Sequence, residues 1–222
     1  MKTLDQIALS YRTDKASKYH NYTPVYEHYF EPLRDKEIVL LELGIGDINS
    51  LNREGESILV WREYFSKGRC YAIDNDIDKA NYYEDCFWCS QTDDITLKSI
   101  IDKIGNPDII IDDASHIQSN TIKSFEILFP LLKSGGLFCI EDTVTAFWPS
   151  WEGNCLISYD GHKIFIDTGH ETIFTYMFQL VYHVNLRRQE TFNPPQSIHI
   201  PDWIKQIDSI HFHHSQIIVK KK

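Results

Sequence analysis

Five short apolar runs recur between residues 38 and 140, and the polar residues or glycines that end them constrain the fold more than any other feature of the chain. Residues 38–43 (Ile-Val-Leu-Leu-Glu-Leu) stop at Gly44, and residues 69–73 stop at Asp74. Residues 87–89 form a shorter run before Gln91-Thr92-Asp93-Asp94. Residues 109–111 run into Asp112-Asp113, and residues 137–140 into Glu141-Asp142. Runs this short and this apolar read as strands buried on both faces of a parallel sheet. The stretches between them have helical spacing. Ile58, Leu59, Trp61 and Phe65 fall on one helix face, residues 96–104 read as a helix, and residues 121–132 form an amphipathic helix closed by Gly135-Gly136. Alternation of this kind specifies an α/β sheet with polar or acidic groups after four of its five strands.

Beyond residue 142 the pattern weakens. Residues 143–170, rich in Trp, Gly and Asp, read as a long loop or lid, and residues 171–186 as a helix. Residues 209–213 and 216–219 flank His214-Ser215 and suggest a closing antiparallel hairpin. The expectation is one Rossmann-like α/β domain over residues 1–222, with a mostly parallel seven-stranded sheet, a C-terminal antiparallel hairpin and an N-terminal cap segment over residues 1–36.

Charge narrows the partners. Lys and Arg number 22 against 32 Asp and Glu, a net charge of −10, and the basic runs are Arg187-Arg188 and Lys220-Lys221-Lys222. Nucleic-acid binders present a basic face, so a small-molecule partner is the expectation. No run approaches the roughly 20 apolar residues of a membrane span, and residues 1–6 lack the apolar core of a signal peptide. The odd number of cysteines, 5, fits reduced thiols and a cytoplasmic location. Cys86 and Cys89 have redox spacing, but both fall in a buried strand rather than at a helix start.

In open α/β sheets ligands bind outside the carboxyl ends of the strands, so the polar groups above gather into one predicted site. Gly44 and Gly46, after Glu42, let backbone approach a ligand closely. A dinucleotide fingerprint needs glycine at 49, where Asn49 stands, so an NAD-dependent oxidoreductase is disfavoured. Asp74 is placed to accept both hydroxyls of a ribose. Gln91 and Asp93 can bind an adenine edge, or Asp93 can cap the helix that follows. Neighbouring strands lie about 4.8 Å apart, so Asp112-Asp113 and Glu141-Asp142 converge if their strands pair. Three close carboxylates need a counter-charge, which a hard divalent cation such as Mg²⁺ supplies. His116 stands three residues past Asp113, beside such an ion, as a candidate general base. His211, His213 and His214 read as ordinary hairpin residues.

These residues resemble the metal-dependent sugar O-methyltransferases of macrolide biosynthesis. The resemblance begins at Thr13-Asp14-Lys15, His20, Tyr22 and Tyr26. It continues through the 42–46 segment, Gly55-Glu56-Ser57 to Trp61, Asp74, Gln91-Thr92-Asp93, the 111–116 segment, Gly135-Gly136 with Glu141-Asp142, Phe147-Trp148-Pro149 and the C-terminal hairpin. It implies an S-adenosylmethionine-dependent O-methyltransferase acting on a sugar or glycosylated small molecule. Asp113, Glu141 and Asp142 would hold Mg²⁺, His116 would be the base, and the cofactor would meet Glu42, Gly44, Gly46, Ser57, Asp74, Gln91, Asp93 and Asp112. Ala114 stands where the family usually has glycine, and residues 47–53 replace its glycine-rich stretch. The macrolide enzymes carry a larger N-terminal region. A homo-oligomer is compatible with the resemblance but does not follow from it. Two alternatives remain: a methyltransferase for a non-sugar hydroxyl or a phosphate-linked acceptor, and a non-catalytic binder of the same cofactor.

Overall fold

The computed structural model describes residues 1–46, 57–153, 155–159, 164–168, 171–186 and 201–222, with backbone alone for 155–159, 164–168 and 186. Asn49, Gly55-Glu56, Arg187-Arg188, His162, His170 and His199 lie outside the described residues.

Helix α1 (Leu4–Tyr11) starts at a reciprocal capping box, in which the Thr3 hydroxyl accepts the Gln6 amide and Gln6 returns to the Thr3 amide. Helix α2 (Thr23–Phe30) has Pro24 in its first turn, where a missing N–H costs nothing. Next come β1 (Val39–Leu43), α3 (Ser57–Tyr64), β2 (Arg69–Asp74), α4 (Ile77–Ala80), β3 (Cys86–Trp88), α5 (Asp94–Ile104), β4 (Ile109–Asp112), α6 (Gln118–Leu128) and β5 (Leu137–Ile140). The chain then forms β6 (Cys155–Tyr159), β7 (Ile164–Thr168), α7 (Ile173–Leu186), β8 (Ile207–His213) and β9 (Gln216–Lys221).

The main sheet has seven strands in the order β3-β2-β1-β4-β5-β9-β8. Its first five are parallel, and β9 pairs antiparallel with both β5 and β8. Chain order reverses between β1 and β4, which opens a crevice at their carboxyl ends. Every residue of β1, β4 and β5 is buried, which explains why these strands read as unbroken apolar runs.

The two faces of the sheet are built differently. Helices α5, α6 and α7 cover one with a largely aliphatic core that includes Leu97, Ile100, Ile101, Leu128, Met177 and Leu180. Helices α1, α2 and α3 cover the other with Tyr22, Tyr26, Phe30, Trp61, Tyr64 and Phe65. Tyr26 stacks on Phe30 at 4.8 Å and meets Trp61 edge-on at 5.5 Å.

Three details depart from the expectations drawn from sequence. The helix expected over 121–132 begins at Gln118 and ends at Leu128, because Pro130 cannot continue it and the chain tightens into a 3₁₀ turn, Phe129–Leu131. The 143–170 segment holds 3₁₀ turns Thr143–Phe147 and Pro149–Trp151 and the antiparallel β6–β7 pair. Cys86 lies in β3 and Cys89 just beyond it; both thiols are free, and burial pushes them up to about 12 and about 11. A redox pair needs a stabilised thiolate, the opposite of this environment. Among the described residues no helix is long and apolar enough to cross a membrane.

Candidate active site

The site is built where β1, β2, β4 and β5 end. Gly44 sits at φ +86°, and a Cβ there would meet the Asp113 carbonyl oxygen at 2.4 Å and Ala114 Cα at 2.7 Å. Only glycine satisfies both the backbone angle and the close passage of the segment after β4. The same turn presents the Ile45 amide to Asp74 Oδ2 at 3.1 Å, while Asp74 Oδ1 accepts the Asp76 amide at 2.9 Å. Asp74 is thereby fixed at the tip of β2, 8% exposed.

Gly44, Gly46, Ser57, Asp74 and Gln91 line one cavity of about 290 Å³, together with Asp113, His116 and Asp142. Two of the other expected cofactor residues stand behind that lining. Glu42 is fully buried and accepts the Ser57 hydroxyl at 2.9 Å. Asp112 accepts the Gln91 amide at 3.2 Å and the Ser124 hydroxyl. The third, Asp93, is exposed and caps α5, accepting the Thr96 amide at 3.1 Å.

At the other end of the cavity, Asp113, His116 and Asp142 each offer one ligand atom, and these atoms lie within 4.8 Å of one another. His116 Nε2 is 3.5 Å from Asp142 Oδ2 and 4.0 Å from Asp113 Oδ1. His116 and Asp142 both have left-handed backbone, φ 56° and 50°. Such angles cost non-glycine residues energy and persist only where surroundings impose them. Here the Thr145 hydroxyl imposes them, lying 3.2 Å from the His116 carbonyl oxygen and 2.8 Å from that of Asp142, with Gln118 Nε2 donating to the same His116 oxygen at 3.1 Å.

Glu141 is more deeply placed, 3% exposed. It accepts Lys15 Nζ at 2.8 Å and the Tyr26 hydroxyl at 2.5 Å. Lys15, itself only 2% exposed, also donates to Asp113 and lies 3.8 Å from Glu42. Burial alone would lower the Lys15 pKa, but Asp113 and Glu141 more than offset it and hold the ammonium well above its ordinary range. Burial pushes Glu141 well up, and the neighbouring Asp113 adds to the rise. Glu42 is pushed up to about 7 by burial, against the pull of Lys15.

Two acids and an imidazole around one point form a donor set that can take a hard divalent ion, while Glu141, expected as a third acid ligand, has its two oxygens on Lys15 and Tyr26 and is not among the three. The Tyr22 hydroxyl donates to Asp142 Oδ1, the other oxygen from the one 3.5 Å from His116, and so orients this carboxylate. Lys15, Tyr22 and Tyr26 carry no signal of such roles in local spacing; the segment that bears them reaches the strand tips only in three dimensions.

A second cavity, of about 350 Å³, adjoins the first and shares His116 and Asp142 with it. It extends past the Trp148 and Trp151 side chains and the β8–β9 turn.

No protein-family model matches the chain. It is 37% identical over 150 residues, 66% of its length, to the 8-demethyl-8-α-L-rhamnosyl tetracenomycin-C 2'-O-methyltransferase of Streptomyces olivaceus. It is 35% identical over 152 residues, 68% of its length, to the L-olivosyl-oleandolide 3-O-methyltransferase of Streptomyces antibioticus. In both comparisons the chain spans 39% of the relative's own length. Among solved structures, MycE methyltransferase of the mycinamycin biosynthetic pathway in complex with Mg and SAH matches with a TM-score of 0.84 and 28% identity, covering 99% of this chain and 54% of that one. The complex that also holds mycinamycin VI matches at TM-score 0.80 and 26% identity, covering 99% of this chain and 54% of that one.

The architecture is therefore the Rossmann-like methyltransferase fold. In sequence and in structure alike, the chain is a relative of the macrolide and tetracenomycin sugar O-methyltransferases.

Proposed function

We propose that the protein is an S-adenosylmethionine-dependent O-methyltransferase whose acceptor is a hydroxyl of a sugar or glycosylated small molecule. The observation that carries this reading is the convergence of Asp113, His116 and Asp142 where the two cavities meet. A cofactor in one cavity and an acceptor in the other would face each other across those three side chains. In this reading Gly44, Gly46, Ser57, Asp74 and Gln91 contact the cofactor, with Asp74 taking the ribose hydroxyls. Glu42 and Asp112 hold Ser57 and Gln91 in place, and Asp93 fixes the start of α5.

Asp113, Asp142 and Glu141 would hold the Mg²⁺ or a similar ion, which supplies a Lewis acid that lowers the pKa of an acceptor hydroxyl. His116 takes the hydroxyl proton at Nε2, and the Asp142 carboxylate 3.5 Å away stabilises the resulting imidazolium. Thr145 and Gln118 keep the His116 backbone in the strained angle that aims the ring inward. Holding donor and acceptor on either side of one rigid strand tip supplies much of the rate gain. The rhamnosyl and olivosyl groups in the relatives' names, and the chain's net charge of −10, support a small-molecule acceptor over nucleic acid. A cytoplasmic location belongs to the same reading.

The test is S-adenosylhomocysteine formation with a rhamnosylated acceptor, with cofactor binding followed separately by calorimetry. Turnover is expected to vanish in EDTA and to fall by a factor of roughly 10²–10⁴ in His116→Ala. Full activity in EDTA refutes the cation's role. Failure of the folded protein to bind either S-adenosylmethionine or its product refutes the reading as a whole.

A further inference from the structure

Helix α2 and the edge strand β8 bring four polar rings together outside both cavities, on the sheet face covered by α1–α3. His211 and His213 are two residues apart on β8, so their side chains leave the same face of the strand. That face meets α2. The Tyr29 hydroxyl lies 3.1 Å from His213 Nε2, and the Tyr29 ring meets those of His213 and His211 edge-on, at 5.8 Å and 5.6 Å between centroids. His28, its neighbour on α2, meets the same tyrosine edge-on at 5.0 Å. Two histidines at this spacing on a strand are ordinary by themselves. The fold adds a third imidazole, from the N-terminal cap.

Two further observations point to a ligand. The register sets Gln216 directly opposite His213, and cross-strand partners share a face. Gln216 is fully buried, yet neither its side-chain oxygen nor its nitrogen has a hydrogen-bond partner among the described residues. A buried amide left in that state is costly, and a water carried by a bound ion is the kind of partner it lacks. Burial and the neighbouring His211 and His28 also hold His213 below its ordinary pKa, so at neutral pH it is an unprotonated nitrogen donor, the form a metal needs.

Donor chemistry names the ion. Three imidazoles without a carboxylate among them suit a borderline divalent transition metal such as Zn²⁺, not the hard cation that suits the acids at the strand tips. The three rings stand around Tyr29, and the set already converged on one point among the described residues is Asp113, His116 and Asp142. His28 and His211 are exposed, and exposed side chains change rotamer within nanoseconds, so turning both rings toward His213 disturbs no packed core.

We propose that His28, His211 and His213 form a second cation site, for a divalent transition-metal ion, that clasps α2 to the edge strand. The clasp lies outside the active site but holds the helix that also carries Tyr26, whose hydroxyl donates to Glu141 at 2.5 Å.

The probe is Zn²⁺, titrated calorimetrically into the metal-free full chain with Mg²⁺ in excess, with Co²⁺ as its spectroscopic substitute. The expected result is a Zn²⁺ site that survives in His116→Ala, and visible d–d bands of imidazole ligation with Co²⁺. His28→Ala, His211→Ala and His213→Ala should each weaken that site about tenfold or more, whereas His214→Ala, next in the turn, should leave it unchanged. Zn²⁺ should raise the urea midpoint of the wild type and not that of His28→Ala/His211→Ala. In EDTA this double variant should match the wild-type midpoint, which separates lost binding from lost folding. No Zn²⁺ binding by the wild type, binding lost in His116→Ala, or equal Zn²⁺ affinity in wild type and His28→Ala/His211→Ala overturns the proposal. Full affinity in His28→Ala alone also overturns it, because the ion then sits on the strand and clasps nothing. The methyltransferase reading rests on the other site and stands or falls separately.

Discussion

Asp112 and Asp113 are neighbours in sequence and opposites in environment. Side chains alternate across a strand, so Asp112 follows Ile110 to the face covered by α5–α7, while Asp113 follows Ile111 to the face covered by α1–α3. Glu42 and Glu141 fall on the same face as Asp113 by the same alternation, next to Leu40 and Cys139. On the first face one acid is served by neutral donors: the Gln91 amide, the Ser124 hydroxyl and the Ala114 backbone amide. On the second, three acids share one buried ammonium. Neutral donors fix an acid in place, behind Gln91. Charged partners leave negative charge over, and that surplus is what a cation or a protonated base can use.

The sharpest way to break this comparison is to remove the ammonium. Lys15→Met leaves the buried Glu42 and Glu141 and the partly buried Asp113 without their shared ammonium, and stripping one partner from a buried ion pair costs about 3–5 kcal/mol. Urea denaturation in EDTA should show a loss of that size. Added Mg²⁺ should restore more stability to the variant than it adds to wild type, because the ion then takes over the counter-charge that the Lys15 ammonium supplied. If the variant is as stable as wild type in EDTA, the three acids do not depend on Lys15 and the contrast between the two faces falls.

A second experiment asks how far one ammonium can serve three acids. Glu42, the one farthest from Lys15 at 3.8 Å, is pushed from its ordinary 4.5 up to about 7, by burial above all. Below pH 4.5 both folded and unfolded chains hold the proton, and there is no effect. As pH rises from 4.5 to 7 the unfolded chain releases it while the folded chain keeps it, so stability falls through that window and stays reduced above it. The loss is on the order of 3 kcal/mol. Glu42→Gln keeps an oxygen for the Ser57 hydroxyl and should flatten the slope between pH 5 and 7.5 in denaturant titrations. Identical slopes in the two proteins would mean that Lys15 keeps Glu42 ionised throughout.

The contrast also separates what the sequence made legible from what it did not. Strands β1, β4 and β5 were readable because burial on both faces demands continuous apolar runs, and their terminal acids were conspicuous for breaking those runs. The convergence of Asp113 with Asp142 then followed from strand pairing. Lys15 was not readable in this role, because it lies 98 residues from Asp113 and 126 from Glu141 on a segment without periodicity. Sequence logic asked for a counter-charge and offered a metal alone, whereas the fold supplies an ammonium as well. Asp93 shows the reverse ambiguity: an acid before a helix serves equally as a cap or a ligand, and in the structure it caps α5. The β6–β7 pair in 143–170 was hidden by a short, mixed apolar pattern.

The smallest expected effect sharpens the comparison from the neutral side. Ser124 is fully buried, and its hydroxyl donates to Asp112 from one turn of α6. Ser124→Ala removes one of three donors from a buried carboxylate and should cost about 1–2 kcal/mol, less than the loss at Lys15 because Gln91 and the Ala114 amide remain. Burial already pushes Asp112 up to about 6, and Ser124 is the strongest influence holding it down, so the variant's carboxyl should take up a proton at still higher pH. Infrared spectra of the protonated carboxyl band, recorded from pH 5 to 8, would follow that change directly. A loss as large as that of Lys15→Met would mean that a neutral donor carries as much of the strand tip as the buried ammonium does, and the two faces would then differ in charge but not in what holds them together.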